Sequence, residues 1–272
     1  MKKSVGFRGG IVCYTVSGEG DVVILIHGYL ESAEVWGGFA EQLAKRYRVL
    51  AVDLPGNGRS SDFDTAHTMC FLADSVMAVL DSEKVSRAFV VGHSLGGYVA
   101  LNMAERYPER LAGYILFHSH PYSDSDEVKE NRMREIGIVE SGKKELIYPV
   151  NIPRMFASLN LSRFEEAVEK SKQIASAHTG RGIIAILEGM MGRKDRSAIL
   201  TSGRLPSMVL LGRMDNYIDY DTMTGELTIP DNGSLITLET SGHMGFIEET
   251  EKSVALVDSF IRRVQSIPPE NV

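Results

Sequence analysis

Several features are scarce in this chain, and each scarcity removes a class of protein. No apolar run approaches the roughly 18 residues that a membrane-spanning helix needs, so no membrane association is expected. The first residues, Met1-Lys2-Lys3-Ser4-Val5-Gly6-Phe7-Arg8, carry charge with no apolar stretch behind them and do not read as a signal peptide. There are two cysteines, Cys13 and Cys70, neither in a C-x-x-C pair nor in a metal-ligand spacing. That usage suits free thiols in a reducing compartment, so a cytoplasmic location is expected. Lysine and arginine form no cluster interleaved with aromatics, and the net charge is -7, so nucleic acid is not an expected partner. Internal repeats and low-complexity segments are absent. What remains is a 272-residue chain, 43% hydrophobic and 24% charged, which suits one large globular domain with an insertion.

The pattern along the chain alternates. Ile11 to Val16 and Val22 to Ile26 read as strands joined by the turn signal Ser17-Gly18-Glu19-Gly20-Asp21. Ala33 to Arg46 has amphipathic helical spacing, Val49 to Val52 is a third strand, and Met69 to Leu80 is helical. Ala88-Phe89-Val90-Val91 is a buried strand, Tyr98 to Tyr107 a helix, and Tyr114 to Phe117 another strand. Such alternation predicts a mostly parallel sheet covered on both faces. From Ser119 to Leu200 the strands stop. Glu127 to Glu140 and Ile183 to Met191 read as helices, and Ser162-Arg163-Phe164-Glu165 has the form of a capping box opening a third, which runs to Thr179-Gly180. The rhythm then resumes with strands Met208 to Leu211 and Ser234 to Leu238 and a helix Ser253 to Val264. The division expected is a core of residues 1–118 and 201–272 interrupted by a helical cap over 119–200. The tail Pro268 to Val272 is expected to fray.

The most informative stretch is Gly92-His93-Ser94-Leu95-Gly96-Gly97. A serine in G-x-S-x-G between a strand and a helix is the nucleophile-elbow pattern: a sharp turn lifts the hydroxyl beside a helix N-terminus, where negative charge is favoured. A serine needs a base, and the base needs an orienting carboxylate. In sheets of this kind the order is serine, acid, histidine. His243, in Thr240-Ser241-Gly242-His243-Met244-Gly245 between the last strand and last helix, is the expected base. His67 and His178 read as surface residues, and His93 should point away from Ser94. Asp215, after Val209-Leu210-Leu211-Gly212, is the expected acid, with Asp219 and Asp221 as neighbours and Asp124 and Asp126 as an alternative in what reads as an exposed loop. The oxyanion donors expected are the backbone N–H groups of Leu95 and Tyr29, the latter behind His27-Gly28.

With these motifs together the chain resembles the α/β-hydrolase-fold superfamily, in its broad group of small capped serine esterase-like hydrolases. The segments that carry the resemblance are Leu25 to Tyr29, Val52 to Ser60, Gly92 to Gly97, Leu211 to Asp215 and Ser241 to His243. One departure is Asn57, where the family commonly has histidine. Glu188 to Asp195 loosely resembles the end of the cap in simple esterases and cofactor-free perhydrolases. The resemblance implies a doubly wound, mostly parallel sheet with a helical cap. It implies a catalytic triad of Ser94, Asp215 and His243, a small-molecule ester-like substrate, and no cofactor. A serine at 94 argues against haloalkane dehalogenases and epoxide hydrolases of this fold. The same triad serves carbon–carbon bond hydrolases and thioesterases, and some members act as low-turnover ligand receptors. His118, Phe156 and Met190 are candidates to line the substrate pocket, with Met133, Met155 and Met191 beside them in the cap; for the cap residues, packing of the cap onto the sheet is the equal alternative. A metal site built on His118, His120, Asp124 and Asp126 lacks a recognisable ligand set, and none is expected.

Overall fold

A computed structural model describes residues 1–266. Among these, eight strands form one sheet: β1 Lys2–Phe7, β2 Gly10–Ser17, β3 Val22–Ile26, β4 Arg48–Val52, β5 Ala88–His93, β6 Leu111–Phe117, β7 Ser207–Gly212 and β8 Gly233–Leu238. Their spatial order is β1-β2-β4-β3-β5-β6-β7-β8. The two N-terminal strands run antiparallel to their neighbours, and every other pairing is parallel. Ile24, Leu25, Ile26, Val90 and Val91 have no exposed surface. That is why the central strands read as unbroken apolar runs rather than as alternating ones.

The helices of the core are α1 Gly37–Leu43, α2 Met69–Ser82 and α3 Leu95–Arg106. Five more lie between β6 and β7: α4 Asp126–Glu140, α5 Tyr148–Met155, α6 Glu165–Ser176, α7 Gly180–Met191 and α8 Ser197–Thr201. Three close the chain: α9 Tyr220–Glu226, α10 Gly245–Glu248 and α11 Thr250–Gln265. The chain steps one way from β3 to β4 and then back past β3 to β5. Right-handed crossovers in opposite directions put their helices on opposite faces. Accordingly α2 packs on α3, and α1 packs on α11. The reversal at β3 and β5 is a topological switch point, and open α/β sheets bind ligands at the C-terminal strand ends of such points. No helix among the described residues is long and apolar enough to cross a membrane.

Several elements differ from the sequence reading. β1 was not expected, because Lys2-Lys3-Ser4-Val5-Gly6-Phe7 is largely polar. It is an edge strand, held by a two-residue turn in which Arg8 and Gly9 both take positive φ (45° and 87°). The helix expected from Ala33 breaks at Gly37 (φ 18°, ψ −111°) into a 3₁₀ turn over Ala33–Trp36 and the short α1. Ser162 is not a helix cap: α6 starts three residues later, behind Phe164, with no side-chain cap. The helix before it ends at Ser176 rather than at Thr179-Gly180, and the Thr179 hydroxyl instead accepts from Gly182 N–H and opens α7. α5 was hidden by its own Pro149 and Pro153. The expected fraying of Pro268 to Val272 lies outside the described residues.

His67 and His178 are not on the surface. Both are buried, at 0% and 3% exposure, and no ring nitrogen of either finds a hydrogen-bond partner. His67 stacks on Phe71 at 5.3 Å. Burial favours the neutral ring and lowers both to about 4. The unfolded chain takes up these protons near pH ~6.5, whereas the folded chain resists them. Stability should therefore fall as pH drops from about 6.5 towards 4, by up to about 1.4 kcal/mol per pH unit for each such proton. Urea midpoints measured between pH 7.5 and 5 should show this slope, and His67→Phe should flatten it by about one proton. A slope unchanged in that variant would mean that His67 protonates freely in the folded state.

Candidate active site

Ser94 sits between the end of β5 and the start of α3 at φ 48°, ψ −112°, a region that costs a non-glycine residue about 1–3 kcal/mol. The surroundings hold it there. Its N–H donates to Phe117 C=O at 3.0 Å, and its C=O accepts from Gly97 N–H at 2.9 Å and from Ser119 Oγ at 2.8 Å. The turn is too crowded for side chains at its glycines. A Cβ on Gly96 would lie 2.1 Å from the Ile26 carbonyl oxygen, and one on Gly92 would lie 2.2 Å from that of Gly96.

Asp215 follows β7. Its Oδ1 accepts the N–H groups of Tyr217 (2.8 Å) and Ile218 (3.0 Å), which fixes the turn, and Oδ2 faces His243 Nδ1 at 2.6 Å. Burial alone would raise the Asp215 carboxyl. The His243 charge, the hydrogen bond from His243 and the nearby His118 ring outweigh it and hold the carboxyl well below the usual range. For His243, burial lowers the imidazole, but the Asp215 carboxylate outweighs this and raises it above its ordinary value. Because Nδ1–H donates to Asp215, Nε2 is left bare as an acceptor, the state a general base requires. The main chain of His243 is tied at both ends: its N–H donates to Met155 C=O at 2.6 Å, and its C=O accepts from His93 Nε2 at 2.9 Å. A hydrogen bond joins His243 to Asp215, but none is present from Ser94 Oγ to His243.

Tyr29 lies in the loop after β3. His27 Nε2 accepts Leu54 N–H at 3.1 Å, so its Nδ1–H donates to Gly28 C=O at 2.7 Å. Gly28 N–H donates to Glu31 Oε2 at 2.6 Å, and Leu30 adopts φ 60°. The N–H groups of Tyr29 and Leu95 have no protein acceptor among the described residues.

Other expectations change. His118 is fully buried behind Asp215 rather than at a pocket wall. Its Nε2 accepts Gly245 N–H at 3.1 Å, so Nδ1–H faces Asp215 Oδ2 at a long 3.5 Å, and burial lowers it to about 4. Phe156 (0% exposed) and Met190 (2%) are packing residues, while Met133 faces solvent. Asp124 is not in an exposed loop: it is buried between Arg132 and Arg193, which hold it low although burial pushes it up. His118, His120, Asp124 and Asp126 do not gather, since His120 bonds Tyr98 and Tyr122 instead. The donor atoms of His118, Asp215 and His243 do lie within 4.8 Å of one another. A cation there would have to displace the hydrogen bonds just described.

A polar group near His243 was missed from sequence. The Tyr217 ring lies 5.4 Å from that of His243, and its hydroxyl donates to Asn151 C=O at 2.9 Å. Asn151 Nδ2 and the Tyr29 hydroxyl both donate to Glu135 Oε1, at 2.9 and 3.0 Å. Burial raises the Glu135 carboxyl despite these donors. The only sequence signal was a charged residue on α4 one turn from Arg132, which solvent would explain equally well.

This sheet order, elbow and carboxylate–histidine pair define an α/β protein of nucleophile-elbow type. The α/β hydrolase fold profile matches residues 21–136. A solved esterase from Thermogutta terrifontis, with malate bound, is 27% identical and superposes with a TM-score of 0.91 over 97% of this chain and 99% of that one. A pimeloyl-[acyl-carrier protein] methyl ester esterase of Aeromonas hydrophila is 28% identical over 90% of this chain and 96% of its own length. The dihydrolipoyllysine-residue acetyltransferase component of an acetoin cleaving system from Pseudomonas putida is 27% identical over 92% of this chain, which spans 66% of that protein. The chain has the α/β-hydrolase fold, and esterases are among the proteins it is similar to.

The Asp215–His243 bond can be checked without any substrate. The Nδ1–H proton of His243 should give a low-field NMR resonance that Asp219→Asn keeps and Asp215→Asn removes. Its survival in Asp215→Asn would assign that proton to another acceptor.

Proposed function

We propose that the protein is a serine hydrolase that cleaves small or medium carboxylic esters through an acyl-enzyme. The observation that carries this reading is the bare Nε2 of His243, whose Nδ1–H is bound to buried Asp215, on a loop bonded to the residue preceding Ser94. In this reading His243 takes the Ser94 proton as Oγ attacks the ester carbonyl, and Asp215 stabilises the imidazolium that forms. The Tyr29 and Leu95 N–H groups hold the oxyanion. His243 then gives its proton to the leaving alcohol, and water repeats the sequence on the acyl-enzyme. The unattached state of Ser94 Oγ is compatible with this, because such bonds often tighten only when substrate is bound. No cofactor is required by these steps. The esterase relatives support the ester reading, and a similar 2-hydroxy-6-oxononadienedioate hydrolase of Pseudomonas keeps carbon–carbon cleavage as the second one.

A fluorophosphonate should label Ser94 and not Ser94→Ala. Hydrolysis of p-nitrophenyl acetate should fall at least about 10³-fold in Ser94→Ala, and kcat about 10⁴-fold in Asp215→Asn, as in other triads. Full activity in Ser94→Ala would end this reading. Turnover of a thioester or diketone panel well above that of esters would move the substrate class, and absent turnover with tight ligand binding would indicate a receptor.

The base should also be visible in the pH profile. His243 must be neutral to accept the proton, and its imidazole is raised by Asp215. The kcat/KM value should therefore rise with pH and level off with a midpoint above ~6.5. A flat profile from pH 5 to 8 would exclude His243 as the base that controls the rate.

A further inference from the structure

We propose that Glu31 and His93 form a buried carboxylate–imidazolium pair that positions the three catalytic segments against one another, with both ring nitrogens of His93 protonated. Both side chains are removed from solvent, Glu31 at 2% exposure and His93 at 0%. His93 Nε2 lies 2.9 Å from the main-chain oxygen of His243. A carbonyl oxygen cannot donate, so Nε2 carries a hydrogen. His93 Nδ1 lies 2.9 Å from Glu31 Oε2. The same Oε2 accepts Gly28 N–H at 2.6 Å, so this oxygen serves as an acceptor towards the amide. An oxygen that already carried the shared proton would be a poor acceptor for that bond. The proton therefore resides on Nδ1, and the ring is a double donor.

The pair reaches each part of the proposed machinery. Gly28 adjoins the Tyr29 N–H, His93 immediately precedes Ser94, and the bonded carbonyl belongs to His243 itself. The groups packed around the His93 ring are the rings of Trp36, Phe246, His118 and His243, at 4.4 to 6.3 Å from one another or from it, with Glu31 as the facing anion. Glu31 Oε1 is buried without a partner, so its charge is balanced from one side only. Burying such a pair is costly, and an apolar substitute of similar size would pack at least as well. An apolar substitute could not donate in two directions, which is what fixes the base loop to the elbow. Glu31 and His93 are thus positioning residues, acting through Tyr29, Ser94 and His243.

The charge state is independent of the hydrolase reading, whereas the kinetic consequence rests on it. The first test is a long-range ¹H–¹⁵N spectrum of the ¹⁵N-labelled whole chain at pH 7.5, with His93 assigned by its loss in His93→Gln. Both ring nitrogens of His93 should resonate as protonated, and one bare nitrogen would overturn the proposal. The second is Glu31→Gln, which keeps the size and one oxygen acceptor but removes the charge. His93 should lose one proton, and kcat for p-nitrophenyl acetate should drop 10- to 100-fold while KM stays within about threefold. A wild-type kcat in a folded Glu31→Gln, or a still doubly protonated His93, would overturn the positioning role. If that variant does not fold, the wild-type spectrum decides alone. A protein with the expected spectrum but no ester turnover would refute the hydrolase reading and leave the pair intact.

Discussion

The candidate site depends on one backbone crossing. The start of α3 passes over the ends of β3 and β5 so closely that Gly92 and Gly96 have no room for a Cβ. That crossing forces the single residue between strand and helix into positive φ, and Ser94 is that residue. The strain is sustained because both of its main-chain groups are bonded, to Phe117, Gly97 and Ser119. Once the elbow is set, the neighbouring strand ends deliver the remaining groups to the same edge. β3 supplies the Tyr29 loop, β7 supplies Asp215, and β8 leads to His243. A parallel sheet brings all these ends to one side, so residues far apart in sequence meet without any long-range design in each segment.

The site buries four imidazoles, and hydrogen-bond accounting separates their states. His27 and His118 each accept a backbone N–H on Nε2, so each is a neutral donor on Nδ1. His243 donates on Nδ1 to a carboxylate and keeps Nε2 bare. His93 faces an acceptor on each side. Four rings of one residue type thus hold three different states, and what differs is only the partner on each nitrogen. The inserted helices join in this arrangement. Met155 C=O receives the His243 N–H, and Glu248 accepts the N–H groups of Ala157 and Gly242 and an Asn160 side-chain bond. Movement of that segment would therefore be felt directly at the His243 loop.

The sequence by itself determined the layers of the molecule and the strand ends that matter. Apolar runs and helical spacing are local signals, and the rule of chain order turned them into Ser94, Asp215 and His243. The structure places these three at the C-terminal edge of one sheet. Elements with weak local signals escaped: the polar edge strand β1 and the proline-bearing α5. Tertiary structure alone decided which polar residues are buried. Asp124, His67 and His178 sit in segments as polar as any loop, and they are enclosed only because distant elements close over them. The same holds for Glu31. Its partner His93 is 62 residues away, and His93 reaches a carbonyl 150 residues further on. No local pattern encodes such a link, because a carboxylate beside water and one facing an imidazole in the core are the same letter in the sequence. Their difference in charge, partner and role arises only when folding removes the solvent.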